Sequence, residues 1–242
     1  MIEIFPVEGL PEIEQGADLG ALIAGAVTLR HKDVVVVAQK AVSKAEGRVV
    51  ALSSVEPSER ARELAGPETD LRQLAVILAE TERIVRSRNG LVIAETRHGF
   101  VCASAGVDHS NTAEPDTVIL LPLDPDASAR AIRESLYERS GADVAVVVTD
   151  SFGRPFRKGT TDVAIGAAGL APLRDLRGTQ DRAGRPLRST QVAVADELAA
   201  AANLVRAGKA DGTPVVVVRG ARYEGDGLAT ELVIPAERDL FR

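Results

Sequence analysis

A single cysteine, Cys102, stands in 242 residues. One thiol forms no internal disulfide and no cysteine metal framework, so a reducing, cytoplasmic setting is expected. Tryptophan is absent, and aromatic residues make up only 3%. The core must therefore be built from Val, Leu, Ile and Ala. There are three histidines, His31, His98 and His109, and no two stand at the spacing of a zinc site. Positive charge is in deficit, with 29 Lys and Arg against 35 Asp and Glu and a net charge of -6. That removes any general electrostatic case for nucleic-acid binding, so basic residues must act locally if they act on phosphates. No apolar run approaches the ~18 residues of a membrane span. The opening MIEIFPVEGL has neither a basic n-region nor a long apolar h-region, and no signal peptide is expected. G-x-G-x-x-G, G-x-x-x-x-G-K-[ST] and G-x-S-x-G are all missing, so a dinucleotide fold, a Walker loop and a serine hydrolase lose their usual support. Internal repeats, low-complexity tracts and an obvious interdomain linker are missing too. One unit spanning 1–242 is the expectation.

What is present is an ordinary globular composition, 45% hydrophobic and 26% charged. Ile2–Val7 alternates like a strand. Asp18 is placed to cap a helix running to about Leu29, with Leu19, Leu22, Ile23 and Ala26 at helical spacing. Val34–Ala38 reads as a buried strand that empties into a polar, Lys-bearing segment, Gln39–Arg48. Ser58 or Pro57 opens a helix to about Leu64, and Thr69 or Asp70 opens another. Asn89-Gly90 between Ile84–Arg86 and Leu91–Ala94 is a strong hairpin signal, which makes part of the sheet antiparallel. Phe100–Ala103 and Thr117–Leu121 are further strands. Asp124-Pro125-Asp126 starts a helix to about Arg139 that Gly141 ends. Val144–Val148 is a buried strand followed by a turn and a basic loop. Thr161–Ile165 is another strand, with Gly166 and Gly169 allowing tight approach. Val192–Val205 is a helix, and Pro214–Val218 a last buried strand.

Three polar stretches carry chemistry. In Ala142–Gly159, ADVAVVVTDSFGRPFRKG, Asp150 and Ser151 stand just past an apolar strand, where a carboxylate and a hydroxyl can hold a hard cation. Arg154, Arg157 and Lys158 follow and suit a phosphate or substrate carboxylate. In Ala105–Thr112, Asp108, Ser110 and Asn111 are oxygen donors, and an Asx-type turn is the bland alternative. In Gln39–Arg48 the lysines fit a ligand loop, with an exposed turn as the alternative. A fourth segment, Arg174–Arg188, holds five arginines in 15 residues and reads as a surface loop or an anion site.

Several blocks, taken in order, resemble one family. They are FPVEGLPEI (Phe5–Ile13), VVVVAQKAVSKAEGRVV (Val34–Val50), SAGVDHSN (Ser104–Asn111), LLPLDPDASA (Leu120–Ala129), VVVTDSFGRPFRKG (Val146–Gly159), VADELAAAANL (Val194–Leu204) and VVVVRG (Val215–Gly220). The family is coenzyme F420:L-glutamate ligase, and the resemblance is to its single-domain form, without the nitroreductase-like second domain. It implies GTP-dependent addition of L-glutamate to F420-0, then γ-linked to F420-1, through an acyl phosphate. It implies divalent cations, Mg2+ or Mn2+ and two in number, with K+ as a further candidate. By position, Asp108 and Asp150 would ligate one metal and Ser151 would help hold a second. Leu10, Pro11, Glu12, Ile13, Gln39, Lys40, Lys44 and Asn111 would line GTP, and so would Arg206, Ala207, Gly208, Lys209, Ala210, Asp211, Gly212 and Thr213. Asp108, Asp150 and Lys44 are the residues implied in catalysis. Some members carry a Glu or Gln metal ligand where this chain has Gly208. The implied fold is α+β, with mixed, largely antiparallel sheets and flanking helices, in an intertwined homodimer. The alternatives are a non-catalytic nucleotide- or F420-binding homologue and a metal-dependent phosphatase acting on an acidic metabolite.

Overall fold

The structure, a computed structural model, describes residues 1–110, 115–206 and 212–240. In chain order its regular elements are β1 (Glu3–Pro6), α1 (Leu19–Ala26), β2 (Val34–Ala38), α2 (Gln39–Ala45), β3 (Val49–Ala51), α3 (Glu59–Leu64), α4 (Leu71–Ala79), β4 (Thr81–Arg88), β5 (Leu91–Thr96), β6 (Val101–Ala103), β7 (Thr117–Ile119), α5 (Pro125–Ser140), β8 (Ala145–Arg154), β9 (Arg157–Ala168), β10 (Leu173–Asp175), β11 (Gln191–Ala193), α6 (Val194–Asn203) and β12 (Val215–Arg219). The architecture is α+β.

The main sheet runs β1-β12-β2-β8-β9. Its pairs are antiparallel except β2 and β8, which run parallel at the centre. Val34–Val37 and Val144–Val148 are fully buried or nearly so. Helices cover both faces, and a strand buried on both faces has no polar side to alternate with. On one face Val35, Val37, Val146 and Val148 pack with Ile23, Leu121, Ile132 and Leu136 from α1, α5 and the segment after β7. On the other, Val34, Val36, Ala145 and Val147 pack with Ala195, Leu198 and Ala202 of α6. Each buried Val is worth about 1.5–3 kcal/mol over leaving it exposed. A third cluster, with Leu52, Leu74, Ile77, Val92, Val118 and Leu120, fills the space under α3, α4 and β4–β7.

Local signals set most boundaries. Asp18, Ser58, Asp70 and Asp124 each cap a helix by accepting a backbone N–H, and Gly141 closes α5 at φ 67°. The Asn89-Gly90 hairpin forms between β4 and β5. Gly166 allows the tight approach its sequence suggests, since a Cβ there would sit 2.1 Å from the Pro125 carbonyl at the start of α5.

Four expectations change. The polar segment after β2 is helix, not loop: Ala41 and Val42 are buried against the core, and Lys and Ala are good helix formers. The strand that begins near Val144 does not stop before Asp150. β8 continues to Arg154, because β9 pairs with it along its whole polar half. α1 ends at Ala26, short of Leu29, and the helix expected from Val192 begins at Val194, after β11. The arginine-rich segment is tied at its base by the β10–β11 pair and closer to its tip by a bridge between Gln180 and Pro186. Among the described residues no helix is long and apolar enough to cross a membrane.

Candidate active site

The parallel register pairs Ala38 with Thr149. The next residues on both strands therefore emerge together at the carboxyl ends of the central pair, where ligand crevices form in parallel sheets. α2 starts there and presents Lys40 in its first turn. β8 presents Asp150 beside it.

Asp108 arrives from the opposite side. It follows a tight turn, Ser104–Gly106, in which three consecutive residues have positive φ: 54°, 51° and 74°. Such backbone is strained outside glycine and persists only where the surroundings enforce it. Here Ala105 is buried, and a Cβ on Gly106 would meet Leu121 carbons at 2.7–2.9 Å. Asp108 is then pinned to β7 through two backbone hydrogen bonds with Ile119, at 3.0 and 2.7 Å.

The side chains meet as follows. Lys40 Nζ lies 2.9 Å from Asp108 Oδ2 and donates to Ser110 Oγ at 2.5 Å. The Ser110 backbone N–H donates to Asp108 Oδ1 at 2.7 Å. Burial by itself would raise the Asp108 pKa, but the Lys40 ammonium and the Ser110 donors hold the carboxyl well below its usual range. Asp150 moves the other way. It is half-buried as a residue, and its carboxyl is surrounded by protein. Burial, together with the nearby charges of Asp108 and Asp162, pushes it up to about 6 against the opposing Ser151 N–H and Lys40. Cys102 is buried close enough to feel Asp150, and its thiol is pushed up to about 12, chiefly by burial. It is therefore held as an unreactive thiol.

The family-implied residues fall into groups. Asp108, Asp150 and Lys40 come together. Lys44 lies one turn along α2 and pairs with the exposed Glu12 in the loop after β1. In that loop Pro11 is exposed, Leu10 partly buried and Ile13 buried. Gln39 is 1% exposed, and its amide donates to Ser43 Oγ and the Leu120 carbonyl. Its side chain thus braces the start of α2. Arg206 is buried and turned inward, donating to Thr149 Oγ1, Asp162 and the Val36 carbonyl. Gly212 is exposed and Thr213 partly buried, just before β12. Asn111 and Ala207, Gly208, Lys209, Ala210 and Asp211 lie outside the described residues. Arg154, Arg157 and Lys158 are exposed at the turn of the β8–β9 hairpin, where Arg154 donates to the Lys158 carbonyl at 2.9 Å. Four residues along a strand, Arg154 stands about 13 Å from Asp150, and the trio does not join the carboxylates in this chain.

One residue that the sequence alone does not single out, Asp162, belongs here. Ser151 donates to Asp162 Oδ1 at 2.6 Å, and Asp162 also holds Arg206. An aspartate within the apolar run of β9 was the available signal, but only the hairpin register places it opposite Ser151.

Carboxylate, hydroxyl and backbone oxygens are the donors that Mg2+ and Mn2+ prefer. Among the described residues no three His, Cys, Asp or Glu side chains form a complete metal cage. Two carboxylates and a hydroxyl leave coordination positions for water and ligand phosphate, as Mg2+ usually requires. A cation at Asp150 would also relieve the crowding of its buried charge. The residues present fit such an ion.

An α+β chain that gathers carboxylates, a hydroxyl and lysines at the end of a buried parallel pair suits chemistry on phosphate-bearing, anionic substrates. Comparison with known proteins narrows the class. The sequence model of the F420-0:Gamma-glutamyl ligase family matches residues 9–220, and the chain belongs to that family. It is 46% identical over 247 residues to a coenzyme F420:L-glutamate ligase of Methanopyrus kandleri, covering all of this chain and 98% of that protein. It is 42% identical over 252 residues to one from Methanothermobacter thermautotrophicus, covering all of this chain and 99% of that protein. The Archaeoglobus fulgidus protein of the same name is 42% identical over 244 residues, with 96% of its length covered.

Proposed function

We propose that this chain is a coenzyme F420:L-glutamate ligase that uses GTP. It joins the amine of L-glutamate to the terminal carboxylate of F420-0 and then adds a γ-linked glutamate to F420-1. The meeting of Lys40, Asp108 and Asp150 where the parallel pairing of β2 and β8 ends, in a chain of this family, carries the reading.

Joining a carboxylate to an amine needs an activated acyl group. In the proposed sequence a carboxylate oxygen of F420-0 attacks the γ-phosphorus and GDP leaves. The glutamate amine then attacks the acyl carbon, the phosphate leaves with its bridging oxygen, and the amine loses a proton. Carboxylate and triphosphate repel, so catalysis rests on charge neutralisation and positioning. Lys40 and Lys44 hold phosphate oxygens, and the loop at Leu10–Ile13 borders the nucleotide. Asp108, Asp150 and Ser151 hold Mg2+ or Mn2+. Once bound, the ions neutralise phosphate charge and polarise the transferred phosphoryl group. K+ is a further candidate ion. The same reading carries a homodimer acting in the cytoplasm.

Mass spectrometry of F420-0 incubated with the protein, L-glutamate, Mn2+ and GTP tests this. A GTP-dependent gain of one or more glutamyl residues is expected. GTP hydrolysis without any gain would favour a phosphatase, and no turnover of any kind would favour a binding protein.

A further inference from the structure

Asp162 lies across from Ser151 in the β8–β9 hairpin and is 3% exposed. The reaction sketched above makes no use of it. Its two oxygens have separate partners. Oδ1 accepts the Ser151 hydroxyl proton at 2.6 Å. Oδ2 faces Arg206 Nη1 at 2.5 Å. That guanidinium also donates to Thr149 Oγ1 at 2.8 Å and to the Val36 carbonyl at 3.2 Å. An ion pair taken out of water often contributes less to stability than apolar side chains of similar volume would. Stability alone is thus a weak reason for Asp162 and Arg206 to be here.

The effect on Ser151 is more specific. A serine hydroxyl has one proton and two lone pairs. With the proton committed to Asp162, the oxygen of this exposed residue keeps its lone pairs for another partner, and lone pairs are what a hard cation binds. The acceptor also makes that oxygen a better donor, as outer partners of metal ligands do elsewhere.

We propose that Asp162 is a positioning residue for a divalent cation held at Ser151, and that Arg206 braces Asp162 in that role. The proposal rests on the metal-dependent ligase reading. It moves Arg206 from a nucleotide contact to an internal support.

A Mn2+ titration of the purified chain, followed by the electron paramagnetic resonance of free Mn2+, tests this without substrate or turnover. Asp162→Asn should weaken one class of site about 10- to 100-fold, and the class set by Asp108 and Asp150 should stay unchanged. Ser151→Ala should weaken the same class. Asp162→Asn placed on top of Ser151→Ala should add nothing, because the two side chains act as one unit. A merely structural Asp162 would lower the melting temperature, leave Mn2+ affinity alone and add its effect to that of Ser151→Ala, and that result overturns the proposal. Should Asp162→Asn fail to fold with Arg206 unpaired, Asp162→Asn with Arg206→Met removes both charges and carries the same expectation. A wild-type chain that binds no Mn2+ would overturn the metal reading and this role together. Wild-type affinity in a folded Asp162→Asn protein would overturn this role alone.

Discussion

The ammonium of Lys40 stands 2.9 Å from Asp108 Oδ2, across a gap that brings α2 to the segment just before β7. In this arrangement Lys40 supplies the positive charge that Asp108 would otherwise take from a cation. Both side chains are mostly shielded from water. Lys40→Met should therefore destabilise the metal-free protein at pH 7, by about 1 kcal/mol. The sign follows from the depressed Asp108 pKa. Its contribution is present above the ordinary carboxylate range and is lost as pH falls and Asp108 takes up a proton. Melting curves of the two proteins should differ at pH 7 and converge in strong acid. An equal difference at both pH values would show that the pair contributes nothing electrostatic.

Asp150 predicts the reverse. Its folded pKa of about 6 is above the unfolded value, so the fold holds its proton more tightly than the unfolded chain does. Stability is full below about pH 4 and falls as pH rises through about 6. Asp150→Asn removes that loss. In the presence of a chelator the variant should melt several degrees above wild type at pH 7.5 and level with it near pH 4. A variant less stable than wild type at pH 7.5 would contradict the buried-charge account.

Lys44 points from α2 to the exposed Glu12, a partner it can exchange for phosphate oxygens. A lost charge-assisted hydrogen bond typically costs 1.5–3 kcal/mol, or roughly 10-fold and upward in affinity. Lys44→Ala should raise KM for GTP by that order or lower kcat. Unchanged steady-state kinetics would remove Lys44 from the site.

Gly106 supports Asp108 from behind. At φ 74°, and with Leu121 carbons within 3 Å of any added Cβ, alanine is strained twice over. Gly106→Ala should cost about 2 kcal/mol or more, roughly 4–8 °C in a chain of this size. Thermal melts check this, and a shift under 1 °C would show that the turn relaxes freely.

Sequence reading succeeded where a feature is local. Asn89-Gly90, the Asp124 cap with Pro125, and Gly141 each act within a few residues, and each stands where it was expected. It failed where pairing decides. β8 runs on through Asp150 and Ser151 only because β9 lies beside it, with a bulge that no local pattern announces. β3 was missed because Val49–Ala51 is a strand only through its partner β7. The lysines of Gln39–Arg48 suggest a loop, but Ala41 and Val42 beneath them are buried against the core and hold the segment as helix α2. The site divides in the same way. Asp108 and Asp150 were legible as polar residues at the ends of apolar runs. Asp162 was not, since its partner lies 11 residues away across a hairpin. The central parallel pair lies in the apolar runs Val34–Val37 and Val144–Val148, whose lack of polar alternation matches burial on both faces.

The central claim is that the edge where Asp108 and Asp150 meet is the catalytic centre. Its most direct test measures glutamylated F420 formed from F420-0, L-glutamate, GTP and Mn2+ by wild type and by Asp108→Ala and Asp150→Ala, each shown by melting to be folded. The account predicts product from wild type and none detectable from either variant. Product at the wild-type rate from a folded Asp150→Ala protein would contradict it.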